Sequence, residues 1–274
     1  MKLKTLFVGI ALMSLLACSS DDNDGGNQPG NNEFLPLSNN NFWVYEISSP
    51  QGIQQDSVYV NGDIIINNQT FKKMNAREPF FGFYAGAVHN NGIREENGKL
   101  FMSGTFAGAG LGDFIDLNLE LNNFVIFDEN ATANNQQLSV INGVLTEDFD
   151  GFPITVTYAL KSFAQTQINN FEATNGQNYP VAKPVKIVLN IKVSTAIEVL
   201  PGFPPVNVNI LNDQDLVVST SYFVQNIGIV QTDTNYQFEI NPQLANFPGF
   251  GDLPIPENGS STLNEKLINF NVNN

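Results

Sequence analysis

Few residues in this chain are equipped for covalent or metal chemistry. His89 is the only histidine and Cys18 the only cysteine, so a Ser-His-Asp triad or a Cys-His pair would have to be built on single residues. His89 stands beside Asn90-Asn91-Gly92, a turn signal, and is expected on an exposed loop. There is no Gly-x-Ser-x-Gly elbow, and the His and Cys clusters that zinc and other transition metals need are missing. Calcium needs only oxygen ligands, which Glu147-Asp148-Phe149-Asp150-Gly151 and Asn212-Asp213-Gln214-Asp215 offer without the EF-hand spacing. Solvated turns between strands are the simpler expectation for both. With 27 acidic residues, a facing carboxylate pair of the glycosidase kind arises by coincidence. Gly108-Ala109-Gly110-Leu111-Gly112-Asp113 lacks the Gly-x-Gly-x-x-Gly spacing and any surrounding βαβ unit. The sequence assigns no catalytic residue, no cofactor and no metal.

Recognition chemistry has better candidates. Phe80-Phe81-Gly82-Phe83-Tyr84, Leu200-Pro201-Gly202-Phe203-Pro204-Pro205 and Phe247-Pro248-Gly249-Phe250-Gly251-Asp252-Leu253-Pro254 place large apolar side chains where Gly and Pro resist regular sheet. Gathered at one end of a domain, Phe80, Phe81, Phe83, Tyr84, Phe203, Phe247 and Phe250 would make an apolar rim for a glycan, an apolar ligand or a protein partner. The competing expectation is that each folds back to plug its own end of the core.

The elements that must hold these loops read as strands. Asn41–Ile47, Asp56–Val60, Asp63–Asn67, Phe71–Met74, Ile93–Glu96 and Lys99–Met102 alternate large apolar with polar residues. Asn67-Asn68-Gln69 and Asn97-Gly98 carry hairpin signals between them. Further strands are expected at Phe114–Phe127, Leu138–Leu145, Ile154–Phe163 and Lys186–Glu198, the last placing Val185, Ile187, Leu189, Ile191 and Val193 on one face. Val206–Ile210, Asp215–Val224, Ile227–Gln231 and Tyr236–Ile240 follow, and Leu263–Val272 forms a final strand or short helix. Helical periodicity is not sustained anywhere after the first 17 residues. The fold class is all-β: a single large antiparallel domain, either a curved half-open barrel or a β-sandwich.

Composition narrows the partners. The formal charge is −15, with 27 acidic residues against 12 basic ones, and removal of residues 1–17 would take Lys2 and Lys4 as well. Such a surface repels phosphate backbones and anionic headgroups, which excludes nucleic acid as a partner. With Cys18 outside the domain no disulfide is available, so stability rests on a core rich in the 22 Phe. Abundant Asn reads as turn chemistry, because Asn tolerates positive φ.

The N-terminus carries an address. Lys2 and Lys4 precede an apolar run from Leu6 to Ala17 that is too short to span a bilayer, which takes about 20 apolar residues. Its end, Leu15-Leu16-Ala17-Cys18-Ser19, resembles the lipobox of bacterial lipoproteins, and the resemblance implies cleavage before Cys18 and acylation of that residue. Ser19-Ser20-Asp21-Asp22 resembles the acidic export signal of Bacteroidota lipoproteins, implying transfer to the outer face of the outer membrane. The resulting division is a signal peptide at 1–17, a lipidated Cys and acidic Gly/Asn-rich tether at 18–32, and the β domain at 33–274. Phe34-Leu35-Pro36-Leu37 with Asn41–Tyr45, and Ser221–Val230, resemble the first and late strands of uncharacterised Bacteroidota lipoproteins. Some of these are similar to the half-open β-barrels of periplasmic lipoprotein carriers. The expected function is a lipid-anchored binding module on the cell surface; a carrier or sensor of an apolar ligand comes second and a glycan-active enzyme third.

Overall fold

The computed structural model describes residues 33–106, 117–149, 152–197, 204–246 and 256–273. The strands are β1 (Phe42–Ser49), β2 (Gly52–Ile66), β3 (Gln69–Ala76), β4 (Gly92–Glu96), β5 (Lys99–Phe106) and β6 (Leu119–Asp128). They continue as β7 (Gln136–Phe149), β8 (Phe152–Ala164), β9 (Ile168–Glu172), β10 (Asn178–Ile197), β11 (Val206–Val224), β12 (Gly228–Glu239) and β13 (Asn258–Asn271). One short helix, α1 (Phe83–Val88), lies between β3 and β4. The stretch at 263–272, which is compatible with strand or helix, is strand.

All neighbouring strands are antiparallel, in the order β6-β5-β4-β3-β2-β1-β13-β12-β11-β10-β8-β7, with β9 added beside β10. This single sheet curls into a nearly closed barrel, so the half-open barrel, and not the sandwich, is the architecture. β6 and β7 end the order, and a side chain spans the seam near them: the Ser162 hydroxyl on β8 donates to the Val125 carbonyl on β6.

Alternation decides which side chains enter. On β1, Trp43, Tyr45 and Ile47 are buried while their neighbours are half-exposed. On β10, Val185, Leu189, Ile191 and Val193 are buried and Ile187 packs against the same core. Turn chemistry sets the register. Asn97 and Gly98 take φ of 54° and 73° between β4 and β5, and Asn67 and Asn68 take 50° and 62° between β2 and β3, the left-handed pair that tight hairpins require.

One end of the barrel is closed by aromatic packing. Phe127 lies 4.7 Å from both Phe34 and Phe223, and the Trp43 indole donates to the Ile227 carbonyl. Gly228, at φ 108°, sits against that indole: a Cβ there would lie 3.0 Å from Trp43 Nε1. The two segments that carry the lipoprotein resemblance therefore meet in space, the Tyr45 hydroxyl donating to Ile229 O at 2.7 Å and Asn226 N to Glu33 O at 2.7 Å.

Because the strands alternate in direction, the far ends of β1, β3, β5, β7, β10 and β12 share the opposite end. The segment between β3 and β4 turns inward there, and α1 enters the barrel as a plug. Among the described residues no helix is long and apolar enough to cross a membrane.

Candidate functional site

The plug is clasped by two buried carboxylates. Asp56 on β2 follows the inward phase of Val58 and Val60, and Glu265 on β13 that of Leu263 and Leu267. Both are almost wholly buried, at 1% and 0% exposure. A helix of six residues leaves its first N–H groups without intrahelical partners, and α1 has no capping side chain of its own. The strands supply the acceptors. Asp56 accepts from Phe81 N at 3.0 Å and Gly82 N at 2.7 Å, and Glu265 Oε1 accepts from Tyr84 N at 3.1 Å.

The other end of α1 is tied by Asn91. Its amide donates to Ala87 O at 2.7 Å and Thr105 O at 2.8 Å, and its oxygen accepts from Thr105 N at 2.7 Å. His89 differs from the exposed residue expected of its turn setting. Its Nδ1 accepts from Ala76 N at 3.1 Å, its ring packs 5.1 Å from Phe80, and Nε2 faces Glu78 at 3.3 Å.

The carboxylates approach one another closely. A Cβ on Gly82 would overlap Glu265 Oε2 and lie 3.0 Å from Asp56 Oδ2, so only glycine fits between them. Burial pushes the Glu265 carboxyl up to about 8, with the Asp56 charge adding to the rise and the N–H donors of Tyr84 and Phe83 opposing it. Burial likewise raises Asp56, against its bonds from Gly82 and Phe81. At neutral pH Glu265 holds its proton. Around it lies a polar stripe: Ser219 bonds Thr234 at 2.8 Å and Ser221 bonds Thr232 at 3.0 Å. Tyr84 Oη and Glu265 Oε2 are buried without a partner among the described residues.

This arrangement anchors α1 through two buried acids. Between α1 and the wall, a cavity lined by Met102, Ile126, Val185, Phe223 and Ile229 measures about 30 Å³, the space of about one water molecule.

The structure separates the sequence candidates. Phe83 and Tyr84 are buried on α1, Tyr84 edge-on to Tyr45 at 5.5 Å and Phe83 edge-on to Phe106 at 5.8 Å. Phe80 packs against the core, and Phe81 is 40% exposed. Phe203, Phe247 and Phe250 lie outside the described residues, as do Cys18, Ser19, Ser20, Asp21 and Asp22. Of the calcium candidates, Asn212 and Asp215 lie within β11, not in a turn, and Asp215 accepts from Asn190 at 3.0 Å. Among the described residues no group of three potential metal ligands converges.

Asp56 and Glu265 are the residues that sequence reasoning passed over, although a signal was present. Each is an acid in phase with the apolar face of its own strand. The fold and site together define an antiparallel β-barrel closed around a carboxylate-clasped helical plug. No protein-family model, curated protein or solved structure matches this chain.

Proposed function

We propose that this chain is a lipoprotein acylated at Cys18 and carried by Ser19-Ser20-Asp21-Asp22 to the outer face of an outer membrane, where it binds a glycan or protein partner with its exterior. The observation that carries the binding mode is the plug: among the described residues α1 is buried inside the barrel and the cavity it lines is small. A cavity of about 30 Å³ holds no apolar ligand, because ligand pockets run to about 300–1,000 Å³. Binding without catalysis fits the engagement of both interior acids by backbone donors. Two measurements test this. Labelled palmitate enters the wild type and not Cys18→Ala, and the environment-sensitive apolar dye N-phenyl-1-naphthylamine shows no saturable fluorescence rise with the folded protein. Saturable binding of the dye would refute the exterior mode.

One observation favours a second reading. Tyr84 Oη on α1 and Glu265 Oε2 beneath it, buried without partners among the described residues, would be hydrated or ligand-bonded if the plug withdrew, and a carrier of an apolar ligand with a polar head would use that state. The same dye titration separates the readings.

A further inference from the structure

We propose that the outer wall formed by β1, β13, β12 and β11 carries a binding groove for a short uncharged oligosaccharide. The inference rests on the exterior-binding reading above and gives it a place and a ligand class. An open groove of about 710 Å³ lies on this wall, bounded at one side by Pro50 in the turn after β1.

Its floor is a polar row assembled by strand register. Ser48 pairs with Asn264, Asn264 with Asp233, and Asp233 with Thr220, so four strands bring four outward-facing polar side chains into one line. At an interstrand spacing of about 4.8 Å the row is about 14 Å long, suited to several linked rings more than to one. A parallel row follows, Thr262 opposite Asn235 and Asn235 opposite Val218.

The central acid is held in advance of any ligand. Asp233 Oδ1 accepts from Asn264 Nδ2 at 2.6 Å and Oδ2 from Gln231 Nε2 at 2.8 Å. Asn264 is itself fixed by Thr174 Oγ1 at 3.0 Å, from the tip of the hairpin joining β9 to β10, and that tip also binds Gln231 through Thr174 N at 2.8 Å. A carboxylate has about four acceptor sites, so Asp233 retains capacity for an incoming hydroxyl with its rotamer already fixed, which lowers the entropy cost of binding. Ser48, Thr220 and Thr262 carry hydroxyls without a partner among the described residues.

The lining chemistry selects the ligand. A sugar offers hydroxyls that both donate and accept together with apolar C–H faces. The groove answers with hydroxyls, amides and one acceptor-only acid beside Val218 and Pro50. Asp233 is the only ionisable residue among those lining it, and the next acid along β1, Glu46, is paired with Lys266 at 2.9 Å. With a chain charge of −15, an anionic saccharide is repelled. An added peptide strand is also excluded, because all four strands are hydrogen-bonded on both sides and leave no free edge to extend.

The test is calorimetric titration of the purified lipoprotein with cellohexaose, laminarihexaose, maltohexaose and mannohexaose, with a uronic-acid hexasaccharide as the anionic control. The groove-filling variants are Thr220→Arg and Thr262→Arg, whose side chains project away from the core, each checked for native circular dichroism. The expected result is binding of at least one neutral hexasaccharide with Kd below about 1 mM, at least tenfold weaker in both variants, and no measurable binding of the anionic control. Absence of binding by all four neutral probes overturns the proposal, as does preference for the anionic one. Neutral binding unchanged by both variants overturns the groove while leaving exterior binding standing. Failure of the surface address is read separately, by protease accessibility on whole cells.

Discussion

Replacing Glu265 by Gln tests the carboxylate clasp quantitatively. The side chain is fully buried, and its carboxyl is raised from 4.5 to about 8, first by burial and then by the Asp56 charge. Between those two values the folded chain holds a proton that the unfolded chain has released. Stability is therefore complete below pH 4.5 and falls as pH rises toward 8, by about 1.4 kcal/mol per pH unit from this group. The upper bound on the total is about 5 kcal/mol. Gln is neutral throughout and nearly isosteric; its oxygen accepts from Tyr84 N, and its amide faces Asp56. Urea unfolding followed by fluorescence of Trp43, the only tryptophan and wholly buried, gives stability for both proteins at pH 5, 6, 7 and 8. The two are expected to differ by less than about 1 kcal/mol at pH 5, and the variant to gain at least about 2 kcal/mol on the wild type by pH 8. Taking the difference between the proteins cancels the other acidic groups. A difference that stays flat across this range would refute the reasoning.

Three further substitutions probe the plug and the closed end. Gly82→Ala drives a methyl into Glu265 Oε2 and should cost about 1–3 kcal/mol in urea unfolding. Asn91→Leu removes three bonds to Ala87 and Thr105 in a buried site; a loss of about 2–4 kcal/mol is expected, with amide exchange in α1 accelerating more than exchange in β11. Trp43→Phe deletes the indole bond to Ile227 and leaves a void beside Gly228, for which thermal unfolding by circular dichroism should report a loss of about 1–3 kcal/mol.

Local physics made much of the barrel readable. Asn97-Gly98 supplies the two positive-φ residues a tight hairpin needs, and the alternation from Val185 to Val193 marks an inward face, because each depends only on residues near in sequence. Helix α1 depends on residues far away. Six residues are too few to sustain a helix alone, and the acceptors for its leading N–H groups come from Asp56 and Glu265, 181 positions from Tyr84 in the second case. The segment 79–84 was readable as special from its Phe, Gly and Pro content, and the expectation that such loops fold back into the core describes Phe83 and Tyr84; that they do so on a helix was not readable. Asp56 and Glu265 left the trace of an acid on an apolar face. The groove left none, since Ser48, Thr220, Asp233 and Asn264 become neighbours only through the registers of four strands.

The measurement that bears most directly on the account is protease accessibility on intact cells, comparing the wild type with Cys18→Ala and with Asp21 and Asp22 both replaced by Ala. The account predicts that the wild type is shaved from intact cells, that Cys18→Ala is absent from the membrane fraction, and that the double Asp variant is protected until the outer membrane is broken. A wild type that stays protected on intact cells and is cleaved only after outer-membrane rupture would contradict surface display and turn the search to a periplasm-facing carrier.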